Sequence, residues 1–122
     1  MKLFAAVLVS LVLAAPAAAS WSFGRTGGNI RPFTVTISAG GAVTANGATV
    51  GRTKLTAVQL RAVASAFKAV ASLPASTLCP HTLPDVAAQF LANGAKRVSV
   101  HGGCSASFTS TWNALAATVK LG

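Results

Sequence analysis

The chain has 122 residues, ten Lys or Arg residues and a single acidic residue, Asp85, which gives a formal net charge of +9 at pH 7. This length fits one domain. One carboxylate can neutralise few of the cations, so the surface is expected to attract nucleic acid, anionic lipid, cell-envelope polymers or an acidic protein. The basic residues are scattered with no run longer than two, which argues against a dedicated nucleic-acid-binding arm.

Residues 1–19 have the three parts of a secretory signal peptide. Lys2 provides the positive charge, an apolar run follows over residues 3–13, and Ala17-Ala18-Ala19 provides a small-residue cleavage site. The apolar run is shorter than the roughly 20 residues that a membrane-spanning helix needs, so we predict that it is cleaved. The mature protein would begin near Ser20 and be secreted, either extracellular or, behind an outer membrane, periplasmic. Loss of Lys2 leaves nine basic residues and one acidic residue, a charge of 9 − 1 = +8.

Residues 20–31 are rich in glycine and small polar residues, and this composition predicts a flexible N-terminal arm. Trp21 and Phe23 could pin the arm to the domain surface. The remainder, residues 32–122, is predicted to form a single secreted α+β domain.

The first clear strand pattern begins at Phe33, where apolar and polar residues alternate as in a half-buried strand. The alternation resumes after residues 39–41, and all apolar positions carry odd numbers. They share one face only if the connecting loop has an odd number of residues, for example a three-residue turn with glycine in the left-handed conformation. The predicted apolar face comprises Phe33, Val35, Ile37, Val43 and Ala45.

Residues 55–72 predict a core helix. Thr56 and Gln59 form a capping box, and apolar residues recur behind them at helical spacing. Pro74 follows the helix and prevents its continuation.

A second hairpin is predicted around Asn93-Gly94. A three-residue loop with Gly94 in the left-handed conformation would place Arg97, Ser99 and His101 on the outer face. The residues expected on the inner face are Val86, Ala88, Phe90, Val98 and Val100.

Ser105 or Ser107 can cap a final helix with an apolar stripe, which gives the element order ββαββα. We therefore expect a four-stranded antiparallel sheet with two helices packed on one face. The stripe comprises Phe108, Trp112, Leu115 and Val119.

Cys79 and Cys104 are the only cysteines. In an exported chain they are most simply one disulfide, because a redox pair requires closer spacing, as in C-x-x-C. A zinc site formed with His81 and His101 has suitable ligand types, but the oxidising export route favours the disulfide.

The two histidines are candidate catalytic residues because the crosslink would hold their backbones in one neighbourhood. His81, His101 and a nearby cation could act as in a metal-free ribonuclease, with one imidazole taking a proton and the other giving it. The spacing of His81 and Asp85 would suit a metal site on a helix, but Pro80 and Pro84 indicate a loop. No G-x-S-x-G motif indicates a serine hydrolase.

Residues 79–84 form a proline-bounded loop that is predicted to be extended and tethered at one end by the crosslink. Such a loop could present a bait to a protease, since a preordered segment loses less entropy on binding. The alternative is that the prolines only stiffen a connection.

Several local motifs resemble small secreted bacterial proteins of unknown function. The resemblance covers about Phe33 to the C-terminus and implies the fold and export, with no activity and no functional residues to carry over. The motifs are Leu83-Pro84-Asp85, Gly102-Gly103-Cys104, Phe108 and Trp112-Asn113-Ala114-Leu115.

We therefore predict a non-enzymatic module that binds an anionic surface or partner and requires no cofactor and no metal. Lys96, Arg97 and His101 are the candidate binding residues. The alternative is a small secreted hydrolase of the ribonuclease type, or a protease inhibitor, with its site near the Cys79–Cys104 bond.

Overall fold

The computed structural model of the protein describes residues 20–94 and 96–122. The predicted signal peptide, residues 1–19, lies outside the described residues. Strands and helices follow one another in the order βββαβββα. They are β1 (Ser20–Thr26), β2 (Phe33–Ser38), β3 (Val43–Asn46), α1 (Ala57–Val70), β4 (Ser76–Leu78), β5 (Ala88–Asn93), β6 (Lys96–His101) and α2 (Ala106–Val119).

The strands form one mixed sheet in the order β3-β2-β1-β5-β6-β4. Strand β4 runs parallel to β6, and the other neighbouring strands are antiparallel. The α+β class and the two helices are confirmed, whereas the four-stranded antiparallel sheet and the order ββαββα are wrong. The two additional strands are β1 and β4, one at the centre of the sheet and one at its edge.

Strand β1 lies within the stretch that was predicted to be a flexible arm. It pairs with β2 on one side and with β5 on the other, so it occupies the middle of the sheet. Phe23 is fully buried, and Trp21 packs against the ring of Phe67 in α1. Burial of these aromatic side chains gives the glycine-rich segment the apolar contact area that holds it in the sheet.

The β2–β3 hairpin has the predicted odd loop. Ile37 pairs with Val43, and the Ser38 amide donates to the Ala42 carbonyl at 2.9 Å, which leaves three residues in the turn. Gly41 has φ +97°, the left-handed conformation that a residue with a Cβ rarely adopts. The first hairpin is therefore confirmed in loop length and in register.

The capping box at the start of α1 is also confirmed. The Gln59 amide donates to Thr56 Oγ1 at 3.2 Å, and the Thr56 amide donates to Gln59 Oε1 at 2.9 Å. Helix α2 begins after Ser105, whose side chain makes no capping hydrogen bond. Both helices pack on the same sheet face, because their buried residues share one core cluster with the inward residues of the strands.

The predicted register of the second hairpin is wrong. Asn93 pairs with Lys96, so two residues connect the strands, and Leu91 rather than Phe90 shares the inner face with Val98. Phe90 points to the opposite face, where the Arg97 guanidinium lies 4.0 Å from its ring centroid. Leu91 and Phe90 are both buried, so their apolar character alone does not tell which faces the helices.

The core between sheet and helices is built from aliphatic and aromatic side chains. Among the described residues, no helix is both long and apolar enough to cross a membrane. The most completely buried large side chains are Phe23, Ile37, Leu91, Phe108 and Leu115.

The central position of β1 makes Gly24 sensitive to substitution. A Cβ at Gly24 would lie 1.9 Å from the Phe33 carbonyl oxygen and 2.9 Å from Phe90 Cε1, so strands would have to separate. We expect Gly24→Ala to lower the free energy of unfolding by about 3 kcal/mol or more, measured by urea denaturation.

Gly103→Ala is the matched control, because nothing lies within 4 Å of its added Cβ. The control should change stability by less than about 0.5 kcal/mol. Equal, small effects of the two substitutions would show that residues 20–26 are an arm after all.

Candidate functional site

The predicted disulfide is present between Cys79 and Cys104, with Cα atoms 5.6 Å apart. It connects the residue after β4 to the segment that leads into α2, and Cys79 is buried. A disulfide of this kind fits an oxidising compartment and is consistent with export.

Residues 79–82 and 101–104, called here the disulfide corner, are tied together by further hydrogen bonds. The Cys79 amide donates to the His101 carbonyl at 2.9 Å, and Thr82 Oγ1 donates to the Cys79 carbonyl at 2.8 Å. Gly102 has φ +113°, and a Cβ there would lie 2.5 Å from Cys79 Cβ. The corner therefore requires glycine at this position and holds residues 102–104 in a fixed path.

The two histidines belong to the disulfide corner but have different surroundings. His101 is half-buried on the outer sheet face, and its Nε2 lies against the Val86 carbonyl. Because a carbonyl can only accept, Nε2 carries the proton. His81 is exposed in a tight turn with φ +62°. Neither imidazole lines the cavity beside the corner.

The loop that was predicted to be an extended bait is a pair of turns. The Thr82 amide donates to the Cys79 carbonyl at 3.4 Å, and the Val86 amide donates to the Leu83 carbonyl at 3.1 Å. Residues that fold back on themselves do not offer the extended backbone with which a peptide adds to a sheet edge. The expectation of an extended loop is therefore wrong.

Asp85 is engaged with the segment after β1. Its Oδ2 accepts from Asn29 Nδ2 at 3.3 Å, and its carbonyl accepts from the Asn29 amide at 2.9 Å. Within the described part of the chain, no three His, Cys, Asp or Glu residues are grouped to hold a metal ion. Asp85 thus ties two loops together instead of joining the histidines.

The three predicted binding residues do not form one surface. Arg97 and His101 lie on the outer face of β6, whereas Lys96 lies on the helix side of the same strand. Lys96 lines a small cavity of about 90 Å³ beside Phe67 and Val70 of α1. Lys96 and Arg97 are adjacent in sequence, but successive residues of a strand point to opposite faces of the sheet.

A larger cavity, of about 360 Å³, lies next to the disulfide corner. We call it the Arg25 cavity. Gly102 and Gly103 form one part of its wall. The side chains that line the rest come from the segment after β1, the segment before β5, the sheet and α2. These are polar Arg25, Gln89 and Thr109 and apolar Ile30, Val86 and Ala87.

Arg25 is held in place by aromatic rings. Its guanidinium carbon lies 4.8 Å from the ring centroid of Trp112 and 5.8 Å from that of Phe33. Trp112 Nε1 in turn donates to the Gly24 carbonyl at 3.1 Å, and its ring packs edge-on against Phe23 at 5.5 Å. The cation therefore rests on a platform that is itself fixed to the central strand.

Arg25 was missed because it lies in the predicted arm. The signal that could have found it is the alternation of Trp21, Phe23 and Arg25, which places all three on one face of a strand. A charge at the end of an apolar alternation is normally taken as the end of the strand.

A second cationic feature is the basic edge, defined as Arg52, Lys54 and Lys120. Backbone hydrogen bonds place residues 51–52 beside the end of α2, with the Gly51 amide donating to the Lys120 carbonyl at 2.8 Å. Lys54 forms a bridge to Ala42 at the start of β3, and its Nζ donates to the Gly40 carbonyl at 2.8 Å. No acidic side chain occurs among these segments.

Comparisons with protein-family models, with curated proteins and with solved structures found no match.

The disulfide is expected to contribute substantially to stability. It closes a loop with a sequence separation of 25 residues, and restricting the unfolded chain in this way is worth about 3 to 4 kcal/mol in the chain-entropy model. Cys79→Ala combined with Cys104→Ala should lower the free energy of unfolding by that amount, measured by urea denaturation. A wild-type urea midpoint that does not move on full reduction would contradict the expectation. The double variant has no thiols, so it controls for any effect of the reductant other than cleavage of the disulfide.

Proposed function

We propose that the protein is an exported, non-enzymatic binding module that associates with an anionic polymer or surface through its basic edge. The observation that carries the proposal is that backbone hydrogen bonds place Arg52, two residues before Lys54, beside Lys120, with no acidic residue in either segment.

The composition supports a polyanionic partner. After loss of Lys2 the chain has nine basic side chains and one carboxylate, and Asp85 already accepts a hydrogen bond from Asn29. Such an imbalance creates a positive potential over the surface and accelerates association with anions. An anionic polymer that makes many weak contacts with the protein releases counterions at each contact, which makes its binding steeply dependent on salt.

The catalytic alternative has less support from the geometry. His101 is bound to the Val86 carbonyl, His81 is exposed in a separate turn, and neither imidazole lines the Arg25 cavity. General acid and base groups must both come within hydrogen-bond reach of one substrate. RNA cleavage by the wild type that is lost in both His81→Ala and His101→Ala would replace the binding proposal with a ribonuclease.

The proposal is tested by comparing two variants of equal charge. Arg52→Gln, Lys54→Gln and Lys120→Gln together remove the basic edge, whereas a control carries the changes Arg31→Gln, Arg61→Gln and Lys68→Gln. The control positions are all exposed, and each variant retains a charge of 8 − 3 = +5.

The readouts are elution from heparin-agarose in a salt gradient and binding to mixed-sequence DNA at several salt concentrations. The basic-edge variant should elute at clearly lower salt than the control. On DNA, its slope of log K against log[salt] should fall by about 0.9 for each phosphate that the variant no longer neutralises. Equal losses of affinity in the two variants would contradict a role for the basic edge, and no retention of the wild type on either polymer would overturn the function itself.

A further inference from the structure

We propose that the Arg25 cavity is a binding site for a small organic monoanion, specifically a carboxylate that carries an apolar group. The cavity volume of about 360 Å³ lies in the size range of small-molecule sites. Such sites are mostly apolar and contain a few polar groups that fix the orientation of the ligand.

The cation of the site is preorganised. Arg25 is half-buried and rests on Trp112, which is itself hydrogen-bonded to the Gly24 carbonyl. Contact with the face of an aromatic ring uses none of the five N–H donors of a guanidinium. Arg25 can therefore offer its planar pair of donors to a carboxylate, which is the geometry that gives bidentate ion pairs.

No protein carboxylate occupies this position. Asp85 is the only acidic residue in the chain; it precedes Val86, but its Oδ2 accepts from Asn29 and its side chain does not line the cavity. A single cation in the lining suits a singly charged ligand. A phosphate dianion would be better matched by a second cation, and the other polar side chains of the lining, Gln89 and Thr109, are neutral.

The apolar walls call for an apolar group on the same ligand. Ile30 and Val86 are 47% and 43% exposed although both are large aliphatic residues, and they line the cavity together with Ala87. Covering exposed aliphatic surface is favourable in proportion to the area removed from water. A ligand with a charged end on Arg25 and a hydrocarbon end on Ile30 and Val86 satisfies both features.

The surroundings keep the cavity in shape. Gln89 lies directly opposite Arg25 in the pairing of β1 and β5, so both side chains leave the sheet on the same side. The disulfide corner fixes Gly102 and Gly103, and His101 holds the Val86 carbonyl. A wall built from a sheet and a crosslinked loop limits the ordering that binding requires.

Octanoate is a suitable probe, and isothermal titration calorimetry measures its binding. We expect saturable binding with one site per chain. Arg25→Gln should weaken binding at least tenfold, because it removes the charge while retaining a similar shape. Arg25→Lys should weaken it less, since an ammonium keeps the charge but lacks the planar fork. Arg61→Gln, an exposed cation on α1, is the matched control and should bind octanoate as the wild type does.

A second variant tests the site without altering the aromatic platform. Val86→Asp places a negative charge at a partly exposed wall position, and the fold should tolerate it. Its octanoate affinity should fall at least tenfold while circular dichroism and the urea midpoint stay close to the wild-type values. An unchanged affinity in Val86→Asp or in Arg25→Gln would overturn the proposal.

Three further ligands define the chemical class. Octanamide lacks the charge and acetate lacks the apolar group, so both should bind much more weakly than octanoate. Octyl phosphate should bind no more tightly than octanoate. Equal binding of octanamide or acetate, tighter binding of octyl phosphate, or the absence of saturable octanoate binding would each overturn the assignment.

This site is independent of the basic edge. The basic-edge variant should therefore retain octanoate binding, and Arg25→Gln should retain most of the affinity for heparin because it removes one of many cations. Loss of octanoate binding in the basic-edge variant would contradict a separate site.

Discussion

The indole of Trp112 joins the second helix to the middle of the sheet. Its Nε1 donates to the Gly24 carbonyl, its ring packs edge-on against Phe23, and Arg25 lies over its face. Three consecutive residues of β1 are thus fixed by one side chain of α2. Together with the packing of Phe23 and Trp21 in the core, this contact holds a glycine- and serine-rich segment as the central strand, and it positions Arg25 beside a cavity that Asp85 does not line. The sheet order and the proposed anion site depend on it together.

The sequence predicted those parts of the fold in which one local rule acts alone. The β2–β3 hairpin followed from a clean alternation, and α1 followed from a capping box with an apolar stripe behind it. Strand β1 was missed because its alternation ends in Arg25, whose burial against Trp112 is a tertiary contact. Strand β4 has three residues and a parallel partner, so it has neither the length nor the adjacent hairpin that a sequence pattern can reveal.

The predicted register of the second hairpin was wrong for a different reason. Phe90 and Leu91 are consecutive and both buried, Leu91 among the valines of β6 and Phe90 against Gly24 and Arg97 on the other face. The absence of a side chain at Gly24 makes room for Phe90, and nothing near residue 90 in the sequence indicates this. The candidate site was affected in the same way. The crosslink of Cys79 and Cys104 was predicted correctly, but the cavity beside it depends on Arg25, which is distant in sequence.

The crosslink and the positive charge have separate consequences. The disulfide corner fixes one wall of the Arg25 cavity, whereas the basic edge lies where residues 50–52 meet the end of α2 and Lys54 pairs with Ala42. The two proposed ligands, a polymer that spans several cations and a small anion that enters a cavity, can therefore be tested separately. Hydrogen exchange measured by NMR tests the placement of β1 most directly. The amides of residues 21–25 and the Trp112 indole N–H should exchange as slowly as the amides of β2 and β5. Exchange within minutes, as in an unstructured arm, would contradict the central position of β1.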